Sequence, residues 1–175
     1  MMNTFMGNFG HLTTLVAFVS ALITAFAYSQ YFKANELEKA SWRRFSRVSF
    51  YIHALSTSLI AVSLFEIIYN QRYEYFYAYS HSSKALPVHY MISSFWEGQE
   101  GAFILWAFWN VVLGLILVHT NKFWEAPVMV VFSLVQAFLI SMILGVVVGD
   151  LKIGSSPFIL LRDATQAPIF DLNPD

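Results

Sequence analysis

The chain contains no cysteine. Disulfides, thiolate catalysis and cysteine-ligated metal or iron–sulfur centres are therefore excluded. Charge is also scarce: 12% of the 175 residues are Asp, Glu, Lys or Arg, where a soluble domain carries about a quarter. Neither sign dominates, with ten Lys and Arg against eleven Asp and Glu. There is no basic footprint for nucleic acid, so no nucleic-acid partner is expected. Residues 1–32 hold neither Lys nor Arg. Although Ala25-Phe26-Ala27 resembles a leader cleavage site, the basic segment of a secretory leader is missing and the apolar run is too long for one.

What remains is apolar and aromatic. Hydrophobic residues make up 57% of the chain, Phe, Trp and Tyr 18%, and mean hydropathy is +0.55. Four apolar runs, 9–32, 48–69, 95–119 and 128–149, are long enough to cross a bilayer. The sequence predicts an all-α integral membrane protein of four transmembrane helices, forming one membrane region over 1–175 with the lipid bilayer as its surroundings. Thr13, Ala17, Ala21, Ala25 and Ser29 recur every fourth residue, a small-residue stripe that admits a close neighbouring helix. Ala137, Ser141, Gly145 and Gly149 form a second such stripe. The short connection 120–127 makes spans three and four an antiparallel hairpin.

Basic residues set the expected orientation. The connections 33–47 and 119–127 hold Lys33, Lys39, Arg43, Arg44, Arg47 and Lys122, against Arg72, Lys84, Lys152 and Arg162 on the longer opposite side. The positive-inside rule then puts both termini, the 70–94 connection and the 150–175 tail outside the cytoplasm. In a bacterial inner (plasma) membrane that side is the periplasm. Within the connection, Tyr73, Tyr75, Tyr77 and Tyr79 alternate with other residues at the period of an extended strand.

The densest chemistry lies at the start of the third span, in Ser94-Phe95-Trp96-Glu97-Gly98-Gln99-Glu100-Gly101. Ser94 and Glu97 have capping-box spacing, which predicts a helix start near Phe95. Gly98 and Gly101 each cost about 1 kcal/mol inside a helix, a choice that makes sense where something approaches the backbone closely. Glu97 and Glu100 at i, i+3 form an acid pair, with helix capping the favoured reading over catalysis. Trp106 lies too deep for an interfacial belt and suits helix packing or a flat apolar ligand. His53 and His119 fall at similar depth near the cytoplasmic boundary and are the candidate axial ligands for a haem between helices. The favoured alternative is a His53 hydrogen-bonded to Ser49 or Thr57.

The segments Leu86-Pro87-Val88-His89-Tyr90, Trp96-Glu97-Gly98-Gln99-Glu100-Gly101 and Leu105-Trp106, followed by Ser156-Pro157-Phe158 and Asp171-Leu172-Asn173-Pro174, occur in a telling order. Together they resemble the N-terminal region of the cytochrome c-type biogenesis haem lyase (CcmF-type) family across residues 70–175. Two positions depart from that pattern: Glu97 stands where glycine is usual, and His89 where an aromatic is common. The resemblance implies haem as the cofactor handled on the periplasmic face. It also implies a haem carrier protein, apocytochrome c and other cytochrome c maturation membrane subunits as partners. The implied haem-facing residues are Trp96, Gly98, Gln99, Glu100, Gly101 and Trp106. The family's tryptophan-rich signature and haem-ligating histidines come after the counterpart of Asp175, so the chain is expected to be part of a larger multi-span protein and not competent in ligation alone. Two rival readings come from outside that family: a self-contained four-helix haem b electron-transfer protein using His53 and His119, and a structural membrane assembly subunit.

Overall fold

The computed structural model describes residues 5–84, 87–148 and 151–165. Four long helices dominate: α1 (Phe5–Lys33), α2 (Glu36–Tyr69), α5 (Gln99–Thr120) and α6 (Glu125–Leu144). All four are long and apolar enough to span a membrane. Between α2 and α5 lie two short helices, α3 (Phe76–His81) and α4 (Val88–Ser94). After α6 the chain forms a small hairpin in which β1 (Val146–Val148) pairs antiparallel with β2 (Leu151–Ile153), and then α7 (Leu161–Thr165). Among the described residues the fold is all-α apart from that hairpin and one isolated bridge between Tyr75 and Leu160.

The small-residue stripe of α1 does what its spacing predicts. Thr13, Ala17, Ala21 and Ala25 are all buried, Ser29 at the end of the stripe is half-buried, and α1 packs against α2 and α6. Without bulky side chains the helix backbones approach closely, which is how helices associate in a solvent as apolar as their own surfaces. Spans three and four form the expected hairpin. Gln136 of α6, fully buried, donates its Nε2 hydrogen to the Ala107 carbonyl of α5 at 2.9 Å.

Several boundaries differ from the sequence reading. The 33–47 connection is mostly helix, because α2 begins at Glu36 and only residues 34–35 separate it from α1. At about 1.5 Å per residue its 34 residues run about 51 Å, well beyond the roughly 30 Å of hydrocarbon. The fourth span stops at Leu144 because Gly145 takes a left-handed conformation (φ 69°), the C-terminal cap that glycine adopts without steric cost. Gly149 and the 171–174 segment lie outside the described residues. The expected 73–79 strand is absent: Tyr75 is extended, but Phe76–His81 is helical.

Candidate functional site

At one end of the bundle, two tyrosines organise the connecting segments. Tyr75 is fully buried, and its hydroxyl accepts the Gly7 N–H at 2.9 Å. That N–H is among those a helix leaves unpaired in its first turn. Backbone bonds from Phe76 N–H to the Ile159 carbonyl (3.0 Å) and from Leu161 N–H to the Glu74 carbonyl (2.8 Å) fasten the same segment to the tail. Phe158 inserts against Gly10 of α1. Tyr77 reaches the opposite way. Its hydroxyl donates to the Phe95 carbonyl at 2.8 Å and accepts the Gly98 N–H at 3.2 Å. Burial pushes the Tyr77 hydroxyl up to about 12. The His81 ring stacks on Tyr77 with centroids 4.5 Å apart.

These contacts correct the capping-box reading. Ser94 is the last residue of α4, and its hydroxyl donates back to the Tyr90 carbonyl at 3.1 Å. Residues 95–98 are a turn, and α5 starts at Gln99 with Gly98 as its extended N-cap (φ −83°, ψ 158°). Glu97 is therefore exposed in the turn, outside the helix, and shares no helical face with Glu100. Something does approach the two glycines closely, and it belongs to the chain itself. A Cβ on Gly98 would lie 2.6 Å from Tyr77 Cε2. One on Gly101 would collide with the Phe95 carbonyl and the Tyr77 hydroxyl.

The six sequence-predicted residues consequently divide. Gly98 and Gly101 are buried under Tyr77; Gln99 is exposed and Glu100 half-buried on the first turn of α5. Trp96 is 48% exposed and lines an apolar groove of 380 Å³ with Phe65, Ile92, Phe95, Leu105 and Phe108. Trp106 is 60% exposed but lies outside that lining, packed edge-on against Phe103 at 5.7 Å. A flat apolar ligand edge matches the chemistry of the groove. No histidine stands among the groove's described lining residues, so an axial iron ligand would have to come from elsewhere.

The two candidate axial histidines are not brought together. His53 is buried, its Nδ1 hydrogen donated to the Ala17 carbonyl at 2.9 Å and its Nε2 facing the Thr57 hydroxyl at 3.4 Å. His119 is exposed and meets Tyr51, whose hydroxyl is 3.4 Å from its Nε2. Tyr51 and His53 are two residues apart on α2, hence about 200° apart around its axis. The hydrogen-bonded core histidine is what the structure contains, with Thr57 as expected and the α1 carbonyl as its nearer partner. Among the described residues there is no cluster of three or more His, Cys, Asp or Glu that could hold a metal.

The opposite end holds a feature the sequence reading missed. The Glu125 side chain, at the start of α6, is completely buried. Arg47 reaches it with Nε at 2.7 Å and Nη2 at 2.8 Å, and Arg43 with Nη2 at 2.9 Å. Tyr28 of α1 donates its hydroxyl hydrogen at 3.3 Å. Arg47 Nη2 also donates to the Val118 carbonyl at 2.9 Å, satisfying one of the unpaired carbonyls at the end of α5. The carboxylate thus joins three spans directly, and Arg47 links the fourth, α5, through Val118. The available signal was Arg43 and Arg47 at i, i+4, facing a carboxylate in the next short connection.

The fold and its two ends define a four-span helical membrane protein with an aromatic, tyrosine-braced end and an ionic, arginine-rich end. Its fold matches that of a solved cytochrome c haem lyase, CcmF, with a TM-score of 0.72 and 17% sequence identity over 90% of this chain. The chain spans 25% of the length of that protein. No family model matches the chain, and no curated protein matches it in sequence.

Proposed function

We propose that this chain serves as the N-terminal part of a membrane haem lyase in cytochrome c maturation, handling haem for covalent attachment to apocytochrome c. The observation that carries the reading is the overlay of 90% of the chain on the CcmF fold. The motif order around Trp96 and Leu105-Trp106 supports it independently. In this reading the tyrosine-braced end faces the periplasm of a bacterial inner membrane. Trp96 and its groove brace the apolar edge of haem, Gly98 and Gly101 let Tyr77 hold that surface in place, and Gln99, Glu100 and Trp106 flank it. Haem iron ligands, the haem carrier and the docking of apocytochrome c belong to the remainder of the assembly, with which this region would pack as part of a larger multi-span protein.

The test is genetic. Removing the coding segment in the bacterium that carries it should abolish covalent haem in c-type cytochromes, seen by peroxidase staining of denaturing gels, and the wild-type chain should restore it. Trp96→Ala should restore staining about three- to tenfold less well, the size of one specific aromatic contact, at unchanged protein level. Normal cytochrome c maturation without the segment would sink the proposal and leave the structural assembly reading.

A further inference from the structure

Beside the Glu125 clasp the outer surface of α2 carries a groove of 480 Å³ lined by Ala40, Arg43, Arg44, Arg47, Val48 and Tyr51. Its charge is unbalanced. Arg43 and Arg47 share the single carboxylate of Glu125, while exposed Arg44 makes no ion pair among the described residues. Three arginines therefore line one groove, while the one carboxylate that two of them hold is buried behind it, which leaves a net positive surface that favours an anion. Guanidinium forks match the oxygens of a phosphate geometrically. Alongside the groove and continuing past it runs an exposed apolar strip, Phe45, Val48, Ile52 and Leu55. It extends about 15 Å along one side of the helix.

We propose that this groove binds an anionic phospholipid, its phosphate on Arg44 and the free edges of Arg43 and Arg47, and one acyl chain along the Phe45–Leu55 strip. A lipid is favoured over a soluble phosphate because the strip adjoins the arginines on the same helix, where the bilayer's headgroup layer meets its hydrocarbon. Basic pockets at this level are where anionic headgroups collect. The occupied site neutralises the excess charge and fixes the depth of α2, whose helix continues well past the hydrocarbon.

Native mass spectrometry of the full chain, titrated with phosphatidylglycerol, phosphatidylcholine or glycerol phosphate, tests this. Wild type should retain one phosphatidylglycerol in preference to phosphatidylcholine, and glycerol phosphate should not displace it. Arg44→Gln should weaken phosphatidylglycerol binding about fivefold, as loss of one interfacial cation predicts. Arg44 lies outside the clasp, so the fold should survive. Lys33→Gln removes the same charge from the same end of the bundle, away from the groove, and should bind as wild type does. Equal losses in the two variants would overturn the proposal in favour of diffuse attraction. Displacement by glycerol phosphate would overturn it in favour of a soluble-anion site. Equal retention of both lipids would show that there is no site.

Discussion

Gly101 occupies a position that any side chain would break, since the Phe95 carbonyl and the Tyr77 hydroxyl stand where its Cβ would be. The colliding carbonyl is backbone in a tight turn and cannot swing aside. Gly101→Ala should cost about 2–3 kcal/mol, the upper range for overpacking a filled site, measured as a lowered thermal midpoint in detergent. Glu97, four residues earlier in the same motif, is exposed in the turn, and Glu97→Gln should stay within about 0.5 kcal/mol. The close approach expected at the glycine is there, whereas the capping and acid-pair roles expected of Glu97 are not. Tyr77 extends the argument to pH. Its hydroxyl is pushed up to about 12 by burial, against about 10 in an unfolded chain. The folded state thus holds the proton more tightly, so this contribution is complete below pH about 10 and is lost as pH rises toward about 12. Tyr77→Phe should lower stability at neutral pH by about 1–2 kcal/mol, through two lost hydrogen bonds. It should also flatten the alkaline decline of the thermal midpoint; an unchanged decline would assign it to other groups.

At the level of elements, the long apolar helices were legible because a bilayer demands about 20 apolar residues and little else satisfies that. The packing face of α1 was legible for a related reason: Ala17 and Ala21 are fully buried where the small-residue spacing put them. Where charge or polarity entered, local patterns misled. Ser94 and Glu97 satisfy the capping-box spacing, but Ser94 already ends α4 and bonds back to Tyr90, a habit of serine that competes with capping. The alternating tyrosines looked like a strand because period two was counted on aromatics alone. Tyr75 and Tyr77 are both buried, yet each is anchored by its hydroxyl to a different helix N-terminus, so the chain can turn helical between them. The clasp at Glu125 was missed because a carboxylate in a short connection is normally solvated, so the i, i+4 pair of Arg43 and Arg47 gave only a weak signal. Its burial depends on two arginines from α2, which no local window contains. Glu125→Gln would leave both guanidinium groups without a counter-charge. Breaking a buried pair costs about 3–5 kcal/mol, and partial exposure of the arginines (33% and 27%) brings the expected loss to about 2–3 kcal/mol. Double-mutant cycles against Arg43→Gln and Arg47→Gln should show strong non-additivity, and additive losses would mean the clasp is not cooperative.

Across the whole molecule, the two ends divide the work of holding four spans together. The arginine end uses charge, around one buried carboxylate. The tyrosine end relies chiefly on hydroxyls at helix N-termini, beside an ion pair between Arg72 and Glu66, and leaves an apolar groove beside Trp96. That asymmetry agrees with the proposed orientation, because arginines collect on the cytoplasmic side while the groove proposed to meet haem is lined by apolar and aromatic side chains with one serine, Ser58. The missing cysteines make the orientation directly measurable. Lys84 is exposed near the tyrosine-braced end, and Lys39 is exposed near the arginine end. Lys84→Cys and Lys39→Cys would each carry a single thiol in an otherwise thiol-free chain. With the outer membrane permeabilised and the inner membrane intact, a membrane-impermeant maleimide should label Lys84→Cys and spare Lys39→Cys. Disrupting the inner membrane should expose both. The inverse pattern would place the Trp96 groove in the cytoplasm, where attachment of haem to a periplasmic cytochrome could not use it. The lipid site on α2 would then face the outer leaflet, while its phosphate chemistry, which depends on Arg44 and not on sidedness, would be unaffected.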